Sequence, residues 1–206
     1  MSHVTDSVPP QAYMILRAAA GILDGDGGRE FVTDPWWALD EHGKIIALGR
    51  GPVEGFDEVM TRDLGRSVVL PGMVNAHSHA FQRSIRGRTH RRGAHDPSSF
   101  WSWRTQMYEA ANGLTPSRLY DVTKACFQEM LRAGITCVGE FHYVHHDADG
   151  SPYDDANLLS KQIIAAADEV GIRLVLLEVL YLASGFGAPP LEEQRRFCDR
   201  DVDGFL

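Results

Sequence analysis

The sequence predicts an α/β protein: a parallel sheet with covering helices, preceded by a small β-sandwich segment. Three observations carry this. From Thr115 onward, helical patterns alternate with short apolar runs, which is how parallel strands joined by helices read in sequence. Before residue 67, short strand-like runs are separated by tight turn clusters, as in small all-β units. Between the two, an apolar run is interrupted by Pro71-Gly72 and ends in His77-Ser78-His79, which puts chemistry at a strand end. We therefore divide the chain into a β-sandwich-like segment, 1–67, and an α/β part, 68–206.

Composition bounds the function. At 206 residues the chain is long enough for a real core. With 44% hydrophobic and 23% charged residues it reads as soluble and globular. A formal net charge of -8 argues against a nucleic-acid partner, which calls for a basic face. Any anionic ligand must then be held by a few placed cations. No apolar run approaches the roughly 18 residues that span a bilayer, and the start lacks a signal-peptide core, so no membrane partner is expected. Cys126, Cys137 and Cys198 include no Cys-x-x-Cys and read as buried reduced thiols, which fits a cytoplasmic setting.

Residues 1–12 are polar and Pro-containing and read as frayed. From Tyr13 the pattern is strand-like, broken by the turn cluster Asp24–Gly28. Phe31-Val32 and Trp36–Leu39 follow, then the turn Asp40–Lys44 and the run Ile45–Gly49. Trp36 and Trp37 read as packing, and this segment as scaffolding.

Val68–Ala76 reads as a buried strand interrupted at Pro71-Gly72. Residues i and i+2 of a strand share a face, so His77 and His79 aim two imidazoles at one spot. That is half of a metal site, since a catalytic zinc takes three protein ligands and keeps a position open. A bare His-x-His is also common on surface loops. A basic stretch follows, with Arg83, Arg86, Arg88, His90, Arg91 and Arg92; it reads as a solvated surface, or as a lid or subunit contact.

Residues 98–112 have helical spacing, with Phe100, Trp101, Trp103 and Met107 read mostly as core. Arg104 leaves this aromatic segment as either a surface cation or an anchor for a carboxylate, which Arg grips with two parallel hydrogen bonds. Thr115-Pro116 opens a helix whose Leu119, Val122, Cys126, Phe127, Met130 and Leu131 share a face; Gly134 ends it. Ile135–Phe141 is a buried strand, 142–156 a polar loop, and Asn157–Val170 a helix stopped by Gly171. Ile172–Leu180 is the next buried strand. Tyr181–Pro190 is a Gly/Pro loop, and Leu191–Phe197 starts a helix. Among Glu140, His142, Tyr143, His145 and His146, the last two are neighbours whose side chains should diverge, and Asp147–Gly150 reads as a turn rather than a calcium loop.

Three blocks, His77–Arg83, Phe100–Arg104 and Glu140–His146, occur in this order after an apolar strand with Pro-Gly. Together they resemble the amidohydrolase superfamily, and within it the formimidoylglutamate deiminases, from about residue 68 onward. The resemblance implies a (β/α)8 barrel, flanked by a β-sandwich that the far C-terminus of the family completes. It implies zinc, or another divalent metal, on His77 and His79. It implies a small acidic substrate, N-formimino-L-glutamate, hydrolysed to N-formyl-L-glutamate and ammonia. Gln82 would orient the formimino nitrogen, Arg104 would hold a glutamate carboxylate, and Tyr143 would hydrogen-bond the formimino end. His142 would be a supporting or structural histidine. A homodimer is implied for the complete enzyme.

About three barrel strands are visible, near 69–76, 135–141 and 172–180, against the eight of a closed barrel. The family's further metal-binding His and Asp would fall beyond Leu206. The expectation is an incomplete barrel, prone to oligomerise or aggregate through exposed apolar faces, with no catalytic acid or base assigned within it. The alternatives are a related deaminase acting on a nucleobase or triazine-like ring, and a truncated fragment without activity.

Overall fold

The computed structural model describes residues 11–25, 27–89 and 100–205. Asp26 of the first turn cluster, His90, Arg91 and Arg92 of the basic stretch, and most of the N-terminal segment read as frayed lie outside the described residues. The chain divides into two compact units, with the boundary between Pro71 and Gly72.

The first unit is built of short strands: β1 (Met14–Arg17), β2 (Ala20–Gly25), β3 (Gly28–Thr33), β4 (Pro35–Leu39), β5 (Ile45–Arg50), β6 (Met60–Asp63) and β7 (Val68–Val69). They form one four-stranded sheet, β5-β4-β1-β6, and one three-stranded sheet, β3-β2-β7. The turn between β4 and β5 is closed by Asp40, whose carboxylate accepts from the backbone of His42 and Lys44. Ala18, Leu23, Val32 and Trp37 are buried together as this unit's core.

The second unit holds β8 (Met73–Ser78), a 3-10 helix (Ala80–Ile85), α1 (Phe100–Asn112), α2 (Pro116–Arg132), β9 (Ile135–His142), α3 (Leu158–Val170), β10 (Arg173–Glu178), a 3-10 turn (Glu192–Gln194) and α4 (Val202–Phe205). Its sheet runs β10-β9-β8, and both pairings are parallel. The helix ends follow the sequence. Thr115 caps α2 by accepting from the Arg118 amide, and Gly171 ends α3 in the left-handed conformation at φ 77°. Gly72 is needed for close approach: a Cβ there would lie 2.2 Å from Thr136 Oγ1 at the start of β9. The amphipathic faces of α2 and α3 supply Leu119, Phe127, Leu159 and Ile163, packed with Val138 of β9 in one buried cluster.

Four expectations need correction. The apolar run 68–76 is not one buried strand. Val68 and Val69 pair with β2 in the first unit, and Met73 and Val74 of β8 are exposed at 56% and 65%. The strand at 172–180 is shorter, Arg173–Glu178, and covered on one side only: Leu174 and Leu176 pack on the core while Val175 and Leu177 are exposed. Phe100 and Trp101 are exposed rather than core, because α1 buries the stripe Met107, Tyr108 and Ala111 instead. Leu191–Phe197 forms only a 3-10 turn; its Gln194, Arg196 and Phe197 are buried by side-chain hydrogen bonds and packing, which helical periodicity does not encode. The three cysteines are free and half-buried.

Candidate active site

The site begins with an irregularity in β8. Asn75 registers with Val138 and Ser78 with Glu140, so β8 advances three residues while β9 advances two. One extra residue is accommodated at Ala76-His77, as in a β-bulge. The bulge reverses the alternation. Asn75 faces α2, where its amide meets Met130 Sδ, and Ser78 is buried on that same face beside Glu140. His77 and His79 turn to the opposite face, where Phe141 and Tyr143 of the β9 end stand: His79 lies 5.4 Å from each of those rings.

The two imidazoles converge. Nε2 of His77 and Nε2 of His79 are 3.1 Å apart. His79 Nδ1 lies 3.1 Å from the Phe141 carbonyl, which can only accept, so Nδ1 carries the proton and Nε2 presents a lone pair. A backbone carbonyl holding the outer ring nitrogen is the usual support for a metal-binding histidine. Burial lowers the His79 pKa; the bond to Phe141 raises it, and His77 lowers it further. The ring is thereby held neutral and ready to coordinate. The pair fits two ligands of a zinc-class metal, since tetrahedral Zn–N bonds of about 2.0–2.1 Å put neighbouring nitrogens about 3.3 Å apart. Among the described residues no third His, Cys, Asp or Glu joins them.

A cleft of about 470 Å³ opens beside His79, lined by Arg104, Met107, Tyr108, Phe141, Tyr143 and other aromatic residues. Tyr143 is buried, and burial pushes its phenol up to about 12. Its oxygen accepts from Gln82 Nε2 at 2.9 Å, and its hydroxyl faces only Met107 Sδ, a weak acceptor at 3.9 Å. Gln82 stands on the 3-10 helix that follows His79, and its side chain borders a neighbouring cavity of about 500 Å³. Arg104, one turn before Tyr108 on α1, donates from Nε to the Tyr108 hydroxyl at 2.8 Å. Its guanidinium lies 5.4 Å from the Trp101 ring centre and 5.2 Å from that of Tyr108. No carboxylate among the described residues pairs with Arg104.

Several supports carry no mark in the sequence. Buried Gln194 donates to both Tyr108 and Tyr181, fixing the phenol that holds Arg104. Buried Arg196 donates to the carbonyls of Ala111 and Leu114, which end α1. Glu140 is 2% exposed and accepts from the Ala80 amide at 2.6 Å; burial pushes its carboxyl up to about 7, against bonds from Ser78 and Ala80 that lower it. Holding the Ala80 amide, Glu140 fixes the backbone immediately after His79. Its position opposite the His-x-His segment follows from register, which the sequence does not print. His145 and His146 do diverge, toward Glu178 and Asp199 respectively. Arg83 and Arg86 are not free surface cations: both pair with Glu129 of α2 and pin the 3-10 helix to it.

The Amidohydrolase family profile matches residues 68–203. The chain is 50% identical over 132 residues to formimidoylglutamate deiminase of Pseudomonas aeruginosa, covering 64% of this chain and 29% of that protein. It is 32% identical over 189 residues to 5-methylthioadenosine/S-adenosylhomocysteine deaminase of Syntrophobacter fumaroxidans, covering 88% and 36%. Its fold is similar to the crystal structure of an amidohydrolase from Brucella melitensis, with a TM-score of 0.78 and 38% identity, over 90% of this chain and 39% of that one. The chain thus spans about a third of the length of these proteins.

Proposed function

The chain belongs to the amidohydrolase family, and from that premise we propose that it carries part of the site of a deiminase that hydrolyses N-formimino-L-glutamate to N-formyl-L-glutamate and ammonia. The observation that carries this reading is Arg104, a cation without a carboxylate partner among the described residues, lining the same cleft as His79 and Tyr143. A neutral ring substrate has no use for such a cation, whereas a dicarboxylate needs one. The identity to a formimidoylglutamate deiminase supports the same substrate.

In this reading His77 and His79 hold a divalent metal, with zinc favoured by the nitrogen donors. A bound zinc supplies the Lewis acidity that activates water near neutral pH. The chain's own residues do the rest. Arg104 grips a carboxylate of the glutamate moiety. Gln82 offers an amide that both donates and accepts, as an amidine-like group requires. Tyr143, kept neutral by burial, exchanges its poor sulfur acceptor for the formimino nitrogen. Water adds to the formimino carbon, the C–N bond to the imino nitrogen breaks, and that nitrogen leaves as ammonia. The second unit would be part of a (β/α)8 barrel, and the first a small β-sandwich.

Ammonia release is the test. The zinc-loaded protein is offered N-formimino-L-glutamate, 5-methylthioadenosine and an aminotriazine. Release from the first alone, with Arg104→Ala raising KM about 10–100-fold, is the expected result, since hydrogen bonds to charged groups contribute about 1.5–3 kcal/mol. Release from a ring substrate, unaffected by Arg104→Ala, would favour the second reading, a ring deaminase, which the 32% identity to a purine-nucleoside-type deaminase supports. The missing third ligand among the described residues supports a further reading, in which this chain binds substrate without turnover. Silence in every assay, together with binding of N-formyl-L-glutamate, marks that outcome.

A further inference from the structure

On the other face of the same sheet a second set of metal-type donors converges. His142 and Glu178 are register partners on β9 and β10. They therefore point the same way, as do Val138, four residues before His142, and Leu176, two before Glu178, which pack under the helices. The loop leaving β9 brings His145 over them, with its ring centre 5.1 Å from that of His142. One ligand atom from each of His142, His145 and Glu178 lies within 4.8 Å of the others.

The protonation pattern favours coordination. His145 Nε2 is 3.0 Å from the Val179 carbonyl, so that nitrogen carries the proton. Nδ1 is left with its lone pair, 3.6 Å from Glu178 Oε2. His142 is 3% exposed, and its Nε2 has no hydrogen-bond partner among the described residues. A buried ring nitrogen left bare is destabilising unless something occupies it. Burial, reinforced by His145, drives the His142 pKa down to about 3, so the ring is neutral and its lone pair available. Glu178 is 36% exposed at its side chain, which leaves an entry path.

We propose that His142, His145 and Glu178 form a metal site separate from the His77–His79 pair, taking a zinc-class divalent cation through two imidazoles and one carboxylate. Two nitrogens and one oxygen suit zinc or cobalt better than calcium or magnesium, which prefer oxygen alone. Three protein ligands leave the fourth position to water. The ion would tie the end of β9, its following loop and β10 together, so its effect is on stability and loop order.

The test uses the full chain and the metal alone. The double variant His77→Ala/His79→Ala, stripped by chelator, is titrated with Co2+ and with Zn2+ in competition with a chromophoric chelator. One equivalent should bind, with a Co2+ ligand-field spectrum and a rise in Tm. Glu178→Gln or His145→Gln on that background should weaken binding by more than the roughly 10–100-fold that losing an outer partner costs. Far-UV circular dichroism confirms that each variant is folded, and Glu178→Gln, at a half-exposed position, preserves volume. No stoichiometric binding by the double variant would overturn the proposal. So would an unchanged spectrum and affinity in both Glu178→Gln and His145→Gln. Because neither His77 nor His79 is present, failure here leaves the deiminase reading untouched.

Discussion

The two faces of the β10-β9-β8 sheet are made of the same strands and carry different work. The face under α2 and α3 is closed: Val138 and Phe127 are fully buried, and Leu119, Leu159 and Ile163 nearly so. The face that bears His77 and His79 is open, with Val74 at 65%, Val175 at 54% and Leu177 at 45% exposure. The closed face supplies stability through apolar contact. The open face carries the candidate site: His77 and His79 stand at its strand end, beside a cleft lined by buried Tyr143 and by Met107 and Tyr108 of α1. Exposed apolar side chains on it are what an unpaired surface of this kind shows.

The sharpest way to break this contrast is by truncation. Phe127→Ala on the closed face should cost about 3–5 kcal/mol, whereas Leu177→Ser on the open face should stay within about 0.5 kcal/mol. Equilibrium denaturation measures both, and equal losses would mean the open face is packed in solution. Leu177→Ser should also lower light scattering at high concentration.

Arg104→Ala belongs next in size, at about 1.5–3 kcal/mol of ligand binding with little change in stability. Calorimetry with N-formyl-L-glutamate measures the first quantity and thermal unfolding the second; the reverse pattern would make Arg104 structural. Tyr143→Phe should cost about 1 kcal/mol through the lost bond to Gln82. A loss of catalysis with unchanged folding would sharpen its assignment to the cleft beside His79.

The smallest effect concerns acid. Arg83 and Arg86 hold the Glu129 carboxyl down at about 2, below its ordinary 4.5. A depressed folded pKa means the pairing stabilises fully above the unfolded pKa and is lost as pH falls from about 4.5 toward 2. Glu129→Gln should flatten stability across that window alone. A loss of stability in Glu129→Gln that stays the same from neutral pH down to about 2 would contradict the pairing.

Much of this arrangement is legible in the residues. Helical spacing with Thr115, Pro116 and Gly171 marks α2 and α3, because caps and periodicity are local properties. The closed face is legible for the same reason. The open face is not: Val175 and Leu177 read as buried because an apolar strand does not reveal which side a helix covers. His-x-His announces that two rings share a face, but not which face, since the bulge at Ala76-His77 sets that. Glu140 is invisible as a clamp because its partners lie about 60 residues away and meet it only through strand register. Gln194 and Arg196 escape notice because a polar residue in a 3-10 turn normally reads as surface.

The central claim is that His77 and His79 act together on the open face as a metal pair, oriented by the Phe141 carbonyl. The direct measurement is the 15N chemical shift of the histidine ring nitrogens during a zinc titration, with His142→Phe/His145→Gln removing the other candidate site. The account predicts that Nε2 of both His77 and His79 move with zinc while His79 Nδ1 stays protonated. Zinc binding that leaves both Nε2 resonances in place, or that engages His79 through Nδ1, would contradict it.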